Sequence, residues 1–106
     1  MQTPFFIRQN RSLVKIDPAM VVALVSTKNY TQVFLNNETY YLVRTTLSGA
    51  LKKLPGDNFI RINRKTVASI YYIELIAGDH LILDGAPMPI SRQYYESVLA
   101  QLTILE

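Results

Sequence analysis

Residues 30–44, YTQVFLNNETYYLVR, read as two strands and a turn. Tyr30-Thr-Gln-Val-Phe-Leu35 and Thr39-Tyr-Tyr-Leu-Val-Arg44 are rich in β-branched and aromatic residues, and Asn36-Asn37 lies between them. Asparagine tolerates the positive φ of a tight primed turn, so this is the clearest hairpin in the chain. The same pattern repeats outward from it. Pro55-Gly56-Asp57, Ala77-Gly78-Asp79 and Asp84-Gly85 separate further short runs of Val, Ile, Tyr, Phe and Thr, with Asp84-Gly85 as a second tight turn. Strands are expected near residues 4–8, 12–16, 20–26, 30–35, 39–44, 58–62, 66–76 with a break, 80–84 and 87–90.

Two stretches leave the strand rhythm. In TTLSGALKKLPG, Leu47, Ala50, Leu51 and Leu54 fall at helical spacing, with Thr45 or Thr46 as N-cap and Pro55-Gly56 as the stop. In SRQYYESVLAQL, Tyr95, Val98, Leu99 and Leu102 repeat that spacing, and Ser91 is placed to cap the first amides. Each predicted helix has two to three turns, too few for stability alone, so each must pack its apolar stripe on a sheet. A mainly β fold with two short helices follows.

The 106 residues are 49% hydrophobic, which is enough for one ordinary core and is expected to form a single domain over residues 1–106. The apolar run Met20 to Val25 is far short of the roughly 20 residues that a membrane-spanning helix needs. The amino terminus lacks the apolar stretch of a signal peptide, and with no cysteine to staple a secreted fold a cytoplasmic location without membrane contact is expected. With no cysteine and only His80, the chain has no thiol nucleophile and no two-histidine metal motif. No enzymatic activity, metal, cofactor or small-molecule substrate is therefore expected. His80 beside Asp79 has no accompanying nucleophile or glycine-rich loop, and it reads as an exposed strand start.

Charge is unevenly divided along the chain. Residues 1–65 carry ten basic groups against Asp17, Glu38 and Asp57, a net +7, whereas residues 66–106 carry Arg92 against five acids, a net −4. Such polarity suits a basic face presented to a polyanion, most often nucleic acid. The densest local cluster is Phe59-Ile-Arg-Ile-Asn-Arg-Lys65. Strand alternation sends Ile60 and Ile62 to the core and Arg61 and Asn63 the other way, before Arg64-Lys65 closes the run. Arginine can chelate guanine O6 and N7 in the major groove and lysine offers a point charge to phosphate. The plainer alternative is an edge strand whose cations discourage aggregation. In Pro87-Met-Pro-Ile-Ser-Arg92 a cation stands in the first turn of a helix, where the dipole disfavours it. Arg92 either pairs with a carboxylate or faces an anion that the helix terminus also attracts.

Taken together, the Tyr30 hairpin, Tyr40-Tyr-Leu-Val-Arg44, Leu47 followed by Leu54-Pro55, Phe59-Ile-Arg-Ile-Asn-Arg64, Leu83-Asp-Gly85 and Ile90-Ser-Arg92-x-Tyr94 closely resemble the LytTR family of bacterial DNA-binding output domains. The likeness runs from about Phe5 to Leu102. It implies an elongated fold of stacked antiparallel sheets with no recognition helix, in which loops and strand ends enter successive major grooves of duplex DNA. It also implies a transcription regulator, commonly joined to a phosphorylated receiver or a membrane segment, that binds repeated sites, with a homodimer as one arrangement. Carried over position by position, the base contacts fall on Asn29, Tyr30, Arg64 and Arg92. Lys28, Arg61, Asn63, Lys65 and Gln93 are expected at phosphates. Where the family commonly has His-Arg-Ser this chain has Asn63-Arg64-Lys65, and Ser69 stands where an asparagine is frequent. The first change exchanges an imidazole for an amide that still donates and accepts, and adds a cation.

Two other classes fit parts of the sequence. Seven tyrosines could stack single-stranded nucleic acid, although tyrosine also suits half-buried cross-strand positions. An exposed edge strand could instead make the chain a protein-interaction module.

Overall fold

A computed structural model of the chain describes residues 3–106. In order the elements are β1 (Phe5–Gln9), β2 (Ser12–Ile16), β3 (Val21–Thr27), β4 (Tyr30–Leu35), β5 (Tyr40–Val43), α1 (Leu47–Lys53), β6 (Phe59–Asn63), β7 (Thr66–Ser69), β8 (Ile73–Ala77), β9 (His80–Leu83), β10 (Ala86–Pro89) and α2 (Arg92–Ala100). Every expected strand and both helices are present. The break expected within 66–76 is a 3₁₀ turn at Ile70–Tyr72, and another at Pro18–Met20, capped by the Asp17 side chain, leads into β3.

The centre is a five-stranded antiparallel sheet in the order β5-β4-β3-β7-β6, in which β3, β7 and β6 are covered on both faces while β5 leaves Tyr40 and Leu42 exposed. On one face the β1-β2 hairpin and α1 enclose Ile7, Ile16, Val21, Leu24, Val33, Leu35, Leu47, Phe59 and Val67. On the other, the three-stranded sheet β10-β9-β8 and α2 enclose Val22, Ala23, Ile60, Ile62, Ala68, Leu81, Leu83, Ile90 and Val98. This explains why Val21 to Leu24 is apolar without alternation: a bulge between Val21 and Ala23 turns Val22 and Ala23 to the second face and returns Leu24 to the first. Stacking three sheets gives an elongated body of 48 × 32 × 24 Å. Among the described residues no helix is long and apolar enough to cross a membrane.

Two local expectations are corrected, at the turn after β4 and at the start of α2. The turn after β4 takes its positive φ at Glu38 (67°), while the Asn37 side chain accepts hydrogen bonds from the Thr39 amide and hydroxyl. Asparagine acts there as a side-chain cap and not as the left-handed residue. Asp84 and Gly85 do both take positive φ, 49° and 85°, as a primed turn requires. Thr46 caps α1 by accepting from the Gly49 amide at 3.0 Å, and a Cβ on Gly49 would meet that same hydroxyl at 3.0 Å. Ser91 occupies the N-cap position of α2, but its hydroxyl makes no capping bond and is buried without a partner. The backbone holds that junction instead: the Tyr94 amide donates to Ser91 O at 3.0 Å and the Ser91 amide donates to Ile62 O at 2.9 Å.

Leu24 lies in the middle strand and is 1% exposed, so Leu24→Ala is expected to cost about 2–5 kcal/mol through lost burial and an unfilled cavity. Urea denaturation should show a lower midpoint with an unchanged slope. A loss below about 0.5 kcal/mol, the size of an ordinary surface change, would contradict this packing.

Candidate nucleic-acid interface

Antiparallel pairing brings Lys28, Asn29, Tyr30, Arg64 and Lys65 to one end of the central sheet, while Arg92 and Gln93 stand at the start of α2. Thr27 pairs with Tyr30, so Lys28-Asn29 form a two-residue turn, and Asn63 pairs with Thr66, so Arg64-Lys65 form another. Val25 pairs with Thr66 and Thr31 with Val43, which puts both turns and the end of β5 at the same edge. The two turns are tied together, since the Ser26 amide donates to Lys65 O at 2.8 Å. The junction of β10 with α2 is tied in as well. Asn63 Nδ2 donates to Pro89 O at 2.9 Å, and the Ser91 amide donates to Ile62 O at 2.9 Å. Three chain segments far apart in sequence thus form one braced unit.

Lys28, Asn29, Tyr30, Arg64, Lys65, Arg92 and Gln93 are all exposed, with Tyr30 at 42%. Lys28 has φ 47°, a left-handed conformation uncommon for a lysine. A groove of about 760 Å³ runs between the turns and the first residues of α1. Its lining includes Lys28, Arg44, Arg61, Arg64 and Lys65, with the hydroxyls of Ser26, Thr45, Thr46 and Ser48, and no carboxylate. Among the described residues the His80 ring lies 3.4 Å from the Asp79 carboxylate, and no lysine or arginine approaches a carboxylate within 4.0 Å. The cations of the groove repel one another with no internal compensation, so an anion with closely spaced charges would be attracted there.

Arg44 lacks any role in the sequence expectations. The signal was in the hairpin register: pairing of Thr31 with Val43 brings Arg44 level with Tyr30. Arg61 and Asn63, both expected at phosphates, use their hydrogen-bonding groups within the chain. Arg61 donates to Ser48 Oγ at 3.0 Å and to Arg64 O at 2.7 Å, and Asn63 Oδ1 accepts from the Lys65 amide at 2.9 Å. Arg92 and Gln93 lie outside this groove, lining a separate cleft of about 440 Å³ with Asp79 and Glu96. Of the two alternatives for Arg92, pairing with a carboxylate is the one that does not occur.

Residues 6–103 match the family model of the LytTr DNA-binding domain. No curated protein matches the chain. Among solved structures, the chain is similar to the LytTr DNA-binding domain of a proposed methyl-accepting/DNA response regulator from Bacillus cereus, at a TM-score of 0.79 and 20% identity over 95% of this chain and 97% of that one. At that identity the likeness speaks for the fold.

Asn63→Ala removes two of the bonds that brace the Arg64-Lys65 turn, those of the Asn63 side chain to Pro89 O and from the Lys65 amide, and a loss of about 1–2 kcal/mol in folding stability is expected. Hydrogen exchange of the Lys65 amide should quicken in the variant, and unchanged protection there would show that the amide of Asn63 is not what holds the turn.

Proposed function

This chain belongs to the LytTR family of DNA-binding domains, and on that footing we propose that it recognises short repeated sites in duplex DNA as the output module of a bacterial response regulator. Loops and strand ends at one end of the central sheet enter successive major grooves, in place of a recognition helix. The observation that carries this is the groove in which Lys28, Arg44, Arg64 and Lys65 converge with no paired carboxylate. Phosphate contacts supply affinity and register, and base contacts supply sequence choice.

In this reading Asn29, Tyr30, Arg64 and Arg92 touch base edges. Lys28, Lys65 and Gln93 touch the backbone between them, while Asn63 serves by bracing the turn. Regulation of transcription from the cytoplasm by two copies per operator follows, with no chemistry, cofactor, metal or small-molecule substrate of its own. Stacking of single strands is less well supported. The exposed tyrosines Tyr30 and Tyr40 stand at opposite ends of the β4-β5 hairpin and Tyr71 lies in the turn after β7, so they offer no common platform.

A duplex obtained by selection from random sequences should lose affinity steeply with salt, with a log-log slope near −0.9 for each phosphate neutralised and several phosphates in all. A slope equivalent to one or two contacts would contradict duplex gripping. Arg64→Ala and Arg92→Ala should each cost roughly 1–3 kcal/mol on that duplex and loosen sequence choice. Lys65→Ala should weaken selected and scrambled duplexes about equally. Unchanged specific binding in both arginine variants would remove the base-contact assignments.

A further inference from the structure

Arg61 is the cation of the groove whose guanidinium is tied to other elements of the fold. Nη1 donates to Ser48 Oγ in the first turn of α1 at 3.0 Å, and Nη2 donates to Arg64 O at 2.7 Å. Its Cζ lies 5.7 Å from the centre of the Tyr94 ring on α2, and its Nε is buried. The bond to Arg64 O acquires its meaning from a second one. Arg64 O and the Lys65 amide belong to the same peptide group, and that amide donates to Asn63 Oδ1 at 2.9 Å. The peptide after Arg64 is therefore held from both sides, its carbonyl by Arg61 and its N–H by Asn63.

We propose that Arg61 is a positioning residue, whose planar fork fixes the Arg64-Lys65 peptide against α1 and α2 and so sets the direction from which Arg64 reaches a base. The proposal rests on the reading of Arg64 as a base contact. A bidentate arginine-guanine contact needs two donors aligned at once, so small rotations of the turn that carries Arg64 degrade it sharply. Only a guanidinium can reach a hydroxyl on one helix and a turn carbonyl together while stacking on an aromatic ring, because lysine offers a compact point charge in place of a fork. This separates positioning from phosphate binding: Arg61→Lys keeps the charge and loses the geometry.

The test measures wild type, Arg61→Lys, Arg64→Ala and the double variant on a selected duplex and on a scrambled one over a salt series. Arg61→Lys is expected to lose roughly tenfold or more on the selected duplex, with affinity for the scrambled duplex and both salt slopes little changed. On the Arg64→Ala background it should add no further loss. Ser48→Ala removes the tether to α1 alone and should show the same pattern at smaller size, which serves if Arg61→Lys folds poorly. Wild-type selectivity in Arg61→Lys, or a full additional loss in the double variant, overturns the proposal while leaving duplex binding in place. Equal weakening on both duplexes with a shallower slope makes Arg61 a phosphate contact instead. Wild-type protein that selects no duplex removes both the proposal and the reading beneath it.

Discussion

Burial of β3, β6 and β7 on both faces of the central sheet is the constraint on which the rest depends. A sheet covered on one side can bend and slip. This one is clamped between the β1-β2 hairpin with α1 and the second sheet with α2, each contributing its own apolar cluster. At about 25 cal/mol for each Å² of apolar surface removed from water, losing either layer would expose a whole face of β3, β6 and β7. The strand ends consequently emerge in fixed register, and the turns joining them inherit that rigidity.

Rigidity makes the electrostatics possible. Lys28, Arg44, Arg61, Arg64 and Lys65 share one groove without a carboxylate, an arrangement that mutual repulsion would relax if the turns could move. What prevents it is a set of bonds between segments: Ser26 to Lys65, Asn63 to Pro89, Ser91 to Ile62 and Arg61 to Ser48. Uncompensated charge held in place is a preorganised anion site, since the ordering cost falls on folding and not on binding.

Much of the architecture was legible in the sequence because its signals are local. Tyr30 to Arg44 announces a hairpin through composition and turn residues, and the two helices announce themselves through apolar spacing. The long run through Val21 to Leu24 was legible as a strand, but its burial on two faces depends on a bulge that only a paired neighbour reveals. Side-chain roles were harder to see. Nothing in Ser91 as a residue type says that its hydroxyl makes no cap, and Arg61 and Asn63 look as available as Arg64 until the contacts with Ser48, Tyr94 and Pro89 are in view. Arg44 went unassigned because its importance comes from register, which a list of basic residues does not contain.

The central claim is that one end of the sheet grips paired DNA. Backbone amide chemical shifts, followed while the isotope-labelled protein is titrated with a selected duplex, test it most directly. Changes concentrated at residues 26–30, 44–48, 61–66 and 90–93 are the expected result. Changes concentrated instead on β8 and the residues after α2, or none at saturating duplex, would contradict it.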